Sequence, residues 1–399
     1  MMARSRRTSR TSTALTMRRL FLLAVGPGVR GLVDRGGRED RDGQVADVDV
    51  AADGDRVPVV PKVAAIASSF QLMTMKAARL RGLCVWGRGM RRGLLLVAVL
   101  FCVVCGGLAQ NPGAPQKIAD GVWFLIGEAS KGYSNTVVIE MEDYLIVVDA
   151  NYPGRAKELL EVVKGLSSKP VRYVFDTHAH GDHSYGNSVW TKAGATTMAF
   201  RGVVTEMNRW EPARWQAAMA KRADLQATGE SDVERPKKVI DGDRFVLKDA
   251  RREVDFLFLG WGHTPGDGYV WLPKERVLCT GDAAVNGPRN KLLDANLANW
   301  PRVLDRALAL KPLSVLPGHG EAGGPEILSG QARFLRDLYS AVKVEADAGK
   351  TPAEMQIKLP DEDRNWVPSR PDFWQQDVET VYLELSSHAP AGSLPHVWK

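Results

Sequence analysis

From about residue 117 onward, short apolar runs alternate with polar turns at a spacing that predicts strands and helices in succession. Val122–Ile126, Thr136–Glu140 and Leu145–Val148 read as consecutive strands. Residues 156, 159, 160, 163 and 166 are apolar and share one face of a helix predicted over Ala156–Leu166. Val171–Phe175 and Thr196–Ala199 continue the strand set, and Trp210–Ala227 has amphipathic helical spacing. A second set of strands is predicted at Arg244–Leu247, Val254–Leu259, Tyr269–Leu272, Val277–Thr280 and Ser314–Leu316, with a helix over Asn299–Leu310. Two mixed sheets covered by helices on both outer faces account for this order. Beyond Pro325 the pattern turns helical through Gln331–Ala348 and Asp377–Leu385, with the polar Lys350–Asp372 segment between them. These helices are expected to be packing, with a lid or a dimer surface as the other reading.

Candidate chemistry concentrates just after the Val171–Phe175 strand, in His178-Ala-His180-Gly-Asp182-His183. In an extended segment, residues two apart project to the same side, so His178 and His180 can grip one divalent ion. Asp182 and His183 are neighbours and suit a second ion, provided the chain turns. Gly181 is expected to permit that turn by taking strained backbone angles. Three imidazoles packed around a carboxylate without a cation would leave desolvated polar groups at about 1–3 kcal/mol each, which favours metal binding over a structural role.

Two further histidines lie in Gly-rich turns after apolar runs, Gly262-His263-Thr-Pro-Gly266 and Pro317-Gly318-His319-Gly320. Between them, the Val277–Thr280 strand ends in Gly281-Asp282, whose carboxylate is the candidate bridging anion.

Taken in order, these five segments resemble the metallo-β-lactamase superfamily of dinuclear metallohydrolases over about Ala119 to Leu338. The resemblance implies an α/β (α+β) fold, a four-layer αβ/βα sandwich with the metal loops along one edge. It implies that His178, His180 and His263 hold one ion, that Asp182, His183 and His319 hold the other, and that Asp282 bridges them. One departure is Asp267, where many relatives carry a His or Ser after the Pro-Gly pair. The expected organisation is a metallo-β-lactamase domain over 117–340 and a C-terminal helical extension over 341–399.

A site with two ions lowers the pKa of a shared water toward about 7, which supplies a bridging hydroxide as nucleophile. Asp182 is the candidate catalytic residue, orienting the nucleophile and passing a proton to the leaving group. Nitrogen-rich ligation favours two Zn2+ per chain, although Fe or Mn could fill the same set. Substrate contacts are expected from Tyr185, Asn187, Asn290 and Lys291, with Asn187 also suited to tying down the metal loop. The expected reaction opens an amide, lactone, ester or thioester bond of a small molecule, a β-lactam among them. The alternative is a non-haem iron oxidoreductase of the same fold, persulfide dioxygenase-like.

Composition must be cut before it is read. The whole chain has 399 residues and a net charge of +6. Residues 1–92 hold 18 basic and 8 acidic side chains, which leaves 35 basic against 39 acidic for the remainder. The catalytic part is mildly acidic, so nucleic acid is not an expected partner. Met90-Arg-Arg-Gly93, the apolar Leu94–Cys105 and the small-residue Gly106–Ala109 have the shape of a secretory signal over 90–109, cleaved near Ala109. Periplasmic or secreted localisation follows, with membrane contact only through that segment. Residues 1–89 lack sustained periodicity and are expected to be disordered or untranslated, with translation starting at Met90. After cleavage only Cys279 remains, so no internal disulfide is expected. Oligomeric state is not legible.

Overall fold

The computed structural model describes residues 114–288 and 290–394. The predicted signal segment 90–109, residues 1–89, Arg289 and His396 lie outside the described residues.

Two sheets form the centre. The first has seven strands in chain order: β1 (Gln116–Ala119), β2 (Val122–Leu125), β3 (Thr136–Glu140), β4 (Leu145–Val148), β5 (Val171–Phe175), β6 (Thr196–Phe200) and β7 (Lys238–Ile240). β1 to β4 pair antiparallel, and β4 to β7 pair parallel. The second sheet runs β12-β11-β10-β9-β8, from β8 (Arg244–Lys248), β9 (Glu253–Phe258), β10 (Gly268–Leu272), β11 (Val277–Gly281) and β12 (Ser314–Pro317). Only its β11–β12 pair is parallel.

Alternation along the strands sorts side chains between two faces. Val137 and Ile139 of β3 join Phe175, Phe200, Phe256, Val270 and Leu316 in the core between the sheets. Phe175 stands between Phe200 of its own sheet and Phe256 of the other, with ring centroids 5.9 and 4.8 Å away. Val138, Val147 and Val174 face outward against α1 (Pro153–Leu166), which contributes Ala156, Leu159 and Val163. Two short helices follow the β5 loop, α2 (Gly181–Ser184) and α3 (Asn187–Lys192). Then come α4 (Arg201–Arg209), α5 (Glu211–Met219) and α6 (Ala223–Gln226). The outer face of the second sheet packs on α7 (Trp300–Ala309), α8 (Glu326–Asp347) and α9 (Pro371–Ser387). The order is helix, sheet, sheet, helix, the four-layer sandwich that the resemblance implied.

Several expectations need correction. The helix predicted over Trp210–Ala227 is two helices, because Arg222 takes an extended conformation and lays its guanidinium 3.5 Å from the Tyr152 ring centroid. α8 runs unbroken across position 340, where a C-terminal extension was expected to begin. Its Leu338 and Val342 share one core with Trp300 of α7 and Val378 and Val381 of α9. Among the described residues no helix is long and apolar enough to cross a membrane.

Candidate metal centre

All seven predicted metal-ligating side chains converge at one end of the two sheets. The first sheet supplies His178, His180, Asp182 and His183 from the loop leaving β5 and from α2. The second supplies His263 after β9, Asp282 after β11 and His319 after β12. Ligand atoms of His178, His180, His263 and Asp282 lie within 4.8 Å of one another, and those of Asp182, His183 and His319 form a second such group. Either group could hold a metal ion. Asp282 joins them. Its Oδ2 is 4.0 Å from the Nε2 atoms of His178 and His263 and 3.5 Å from His319 Nε2, while Oδ1 is 3.3 Å from His183 Nε2.

The turn that separates the pairs is not made as expected. Gly181 opens α2 in an ordinary right-handed conformation, so strained angles are not its contribution. A Cβ there would approach the Tyr185 ring to 2.6 Å, so glycine is required by close packing. Gly318 is a second such position. A Cβ there would collide with Asp282 Oδ1, and the Gly318 N–H donates to the Gly281 carbonyl at 2.8 Å. Glycine therefore lets the His319 turn lie directly against Asp282.

Two imidazoles are oriented from behind by carboxylates, and the turns that carry His263 and His319 are fixed through their backbones. The His180 Nε2–H donates to Asp294 Oδ2 at 2.7 Å, which leaves Nδ1 facing His263 Nε2 at 3.2 Å. The His183 Nδ1–H donates to Asp149 Oδ2 at 2.8 Å, which aims Nε2 at the centre. Asp149 also accepts the Thr177 N–H at 2.8 Å. It sits at φ 70°, a left-handed conformation that costs a non-glycine residue about 1–3 kcal/mol and is held by this local bonding. Asp267 collects the N–H groups of Gly262, His263 and Thr264 together with the Thr264 hydroxyl, and so fixes the His263 turn. The Asn135 amide donates to the carbonyls of Pro317 and Gly320 at 2.8 Å each, which pins the His319 turn to the first sheet.

The electrostatics are those of a cation site. Burial and the neighbouring imidazoles, His183 first, push His178 well below the ordinary histidine range. Burial and His180 lower His263 to about 3. Burial also works against charge on His183, but the Asp282, Asp149 and Asp182 carboxylates outweigh it and hold that imidazole well above its usual value. Burial alone would raise Asp182, yet His183 and His319 keep it well below the carboxylate range, and Asp282 is lowered in the same way, chiefly by His319 and His183. His178 Nε2, His183 Nε2 and Asp282 Oδ1 are buried without a hydrogen-bond partner. Their lone pairs point at space that a cation would satisfy.

The four expected substrate contacts divide. Asn290 donates from Nδ2 to the Asp282 carbonyl at 3.3 Å, and the exposed Lys291 ammonium helps to lower Asp182, so both border the centre. Tyr185 is buried behind it, donating its hydroxyl to Glu211 at 2.5 Å and packing on Trp215, which corrects the expectation that it faces substrate. Asn187 is fully buried and donates to Asp176 Oδ2 at 2.7 Å and to the Glu234 carbonyl at 3.1 Å, which accounts for it as a loop tie and not a substrate contact. Sequence reasoning missed Asp149 and Asp294. Asp149 had a signal, an acid directly after an apolar run in Asp149-Ala-Asn151. Asp294 had none, because its partners His180 and Arg214 are 114 and 80 positions away.

Comparison with known proteins gives the family. A family model described as the Metallo-beta-lactamase superfamily matches residues 129–319. The chain is 27% identical over 203 residues to Metallo-beta-lactamase type 2 of Bacillus cereus, covering 49% of this chain and 70% of that one. It is 28% identical over 173 residues to Metallo-beta-lactamase IND-1 of Chryseobacterium indologenes, covering 42% and 63%. It is also 24% identical over 207 residues to 2,4-dinitroanisole O-demethylase subunit alpha of Nocardioides sp. (strain JS1661), covering 51% and 56%. A solved metallo-beta-lactamase from Pontibacter korlensis aligns with a TM-score of 0.46 at 20% identity over 56% of this chain and 98% of that one.

Proposed function

We propose, from the premise that this chain belongs to the metallo-beta-lactamase superfamily, that it is a hydrolase with two zinc ions that opens an amide, lactone, ester or thioester bond of a small molecule, β-lactams included. The observation that carries this reading is the set of buried, unpartnered lone pairs on His178, His183 and Asp282, aimed at a common centre from both sheets. His178, His180 and His263 are assigned to one ion, Asp182, His183 and His319 to the other, with Asp282 serving both. Bound zinc supplies Lewis acidity for the scissile carbonyl and lowers the pKa of water toward about 7.

The protein's own contribution is orientation and proton handling. Asp294 and Asp149 fix the His180 and His183 imidazoles and Asp267 fixes the backbone of the His263 turn, so little reorganisation is needed there when substrate arrives. Asp182 is the most exposed of the seven ligand side chains, at 18%, and it is kept ionised by His183 and His319. Its carboxylate is therefore available to accept a proton from the attacking water and return it to the leaving group. Lys291 and Asn290 border the approach and suit an anionic or carbonyl group of the substrate. Export is assigned from the Met90–Ala109 segment.

Elemental analysis of the purified protein, together with a panel of lactam, lactone, ester, thioester and phosphodiester substrates, tests the assignment. Two zinc ions per chain and turnover of at least one carboxylic-acid derivative are expected. One iron per chain with sulfur-dependent oxygen uptake would replace the proposal with the oxidoreductase alternative.

A further inference from the structure

Beside the metal centre lies a cavity of about 410 Å3 whose walls come from three places in the chain. Asn290 and Lys291 form the side shared with the centre, and Pro288 continues that loop. The opposite wall is α9, through Phe373, Gln376 and Asp377. α9 lies outside the segment 129–319 that matches the family model, so this wall belongs to this chain's own C-terminal region.

The lining combines an exposed aromatic ring with a buried carboxyl. Phe373 is a large aromatic side chain left 46% exposed. Arg370 stacks over its ring at 4.1 Å and is committed to Asp372, so that guanidinium is already paired. Asp377 is only 5% exposed, yet it makes no hydrogen bond or ion pair among the described residues. A buried carboxyl without a partner normally costs several kcal/mol and is retained where something outside the fold completes it. Burial alone pushes this carboxyl well above its ordinary range, so an arriving cation would relieve a penalty that no group among the described residues offsets. A carboxyl also has more acceptor than donor capacity, which favours a ligand N–H over a ligand carbonyl.

We propose that this cavity is a specificity pocket that receives a substrate side group made of an apolar, aryl-sized body bearing a protonated amine, with the body on Phe373 and the amine on Asp377. Its role in turnover rests on the hydrolase reading above, but its occupancy does not. Lys291 at the shared wall would then meet the anionic part of the same molecule, so the preferred substrate class is a zwitterionic acyl compound with its amine remote from the scissile bond.

Binding of 2-phenylethylamine and of 2-phenylethanol to the full chain, followed by calorimetry or ligand-observed NMR at pH 7, separates the two claims. The amine is expected to bind at least tenfold tighter than the alcohol. Asp377→Leu should abolish that difference, and Asp377→Asn, which preserves shape and a neutral buried group, should reduce it to less than threefold. Phe373→Ala should weaken both ligands together. Equal affinity for amine and alcohol, or a preference for the amine that survives in both Asp377 variants with native circular dichroism, overturns the pocket assignment whether or not the enzyme hydrolyses anything. If the amine binds as expected while no lactam, ester or thioester is turned over, the pocket stands and the hydrolase reading fails.

Discussion

Replacing Asp294 by Asn tests how much of the metal centre is built from behind. The substitution keeps size and an acceptor oxygen but removes the charge that faces the His180 Nε2–H at 2.7 Å and the Arg214 guanidinium at 2.9 Å from each carboxylate oxygen. A hydrogen bond to a charged group is worth about 1.5–3 kcal/mol, and losing a residue that orients a metal-binding imidazole typically costs about 10–100-fold in affinity, or roughly 1.4–2.7 kcal/mol. The variant should therefore hold the ion bound by His180 about 10–100-fold more weakly. Fold stability should fall by only about 1–2 kcal/mol, because Arg214 keeps its 2.8 Å bond to Glu211 and is not left as a bare buried charge. Competition against a chromophoric zinc chelator reads the affinity, and urea denaturation of the metal-free protein reads the stability. Glu211→Gln is the control, since it touches Arg214 and Tyr185 but not His180, and should lower stability with metal affinity unchanged. An Asp294→Asn protein that binds zinc as tightly as the parent would refute the claim that Asp294 orients His180.

Three further outcomes follow from other parts of the structure. Gly318→Ala should cost about 2–3 kcal/mol and displace Asp282, read as lost zinc stoichiometry, whereas Gly165→Ala, in α1 with nothing near its Cβ, should raise stability by roughly 0.5 kcal/mol. Glu206 is pushed up to about 7, first by burial and then by Asp294, from an ordinary 4.5. A raised folded pKa means stability is fully present below 4.5 and is lost as pH climbs through about 7, a swing on the order of 3 kcal/mol at most that Glu206→Gln should remove in urea titrations at pH 5, 6, 7 and 8. Removal of metal by a chelator should lower the Tm, and zinc at a thousand times its dissociation constant should restore about 4 kcal/mol per site, whereas magnesium should restore none.

Strand and helix content was legible wherever burial followed a clear period. Val137 and Val138 point to opposite sides of the first sheet because adjacent residues must, and the apolar positions of α1 fall on one stripe. The candidate metal-binding cluster was legible because its chemistry is local, with His178, His180, Asp182 and His183 within six positions. Elements with few buried apolar residues escaped notice. β7 is a three-residue strand beginning at Lys238, whose ammonium lies over Phe245, and only its Ile240 is buried. α4 buries just Val203, Glu206 and Met207, too sparse a stripe to recognise. Tyr185 and Asn187 were expected among the substrate contacts for a different reason, although Asn187 is the loop tie it was also suited to be. Position beside the cluster says nothing about direction, and α2 and α3 turn both side chains into the interior.

Ownership of the centre by both sheets has a mechanical consequence. His183 and His319 reach one group from opposite halves of the sandwich, and so do His178 and His263 in the other, with no disulfide among the described residues to do the same work. Each captured ion would thus act as a rivet across a seam, closing chain loops of 136 and 85 residues between those partners. Metal supply would set how long the two halves resist being peeled apart, so starvation for zinc should appear first as susceptibility to proteases and only afterwards as slow turnover of whatever the cell presents.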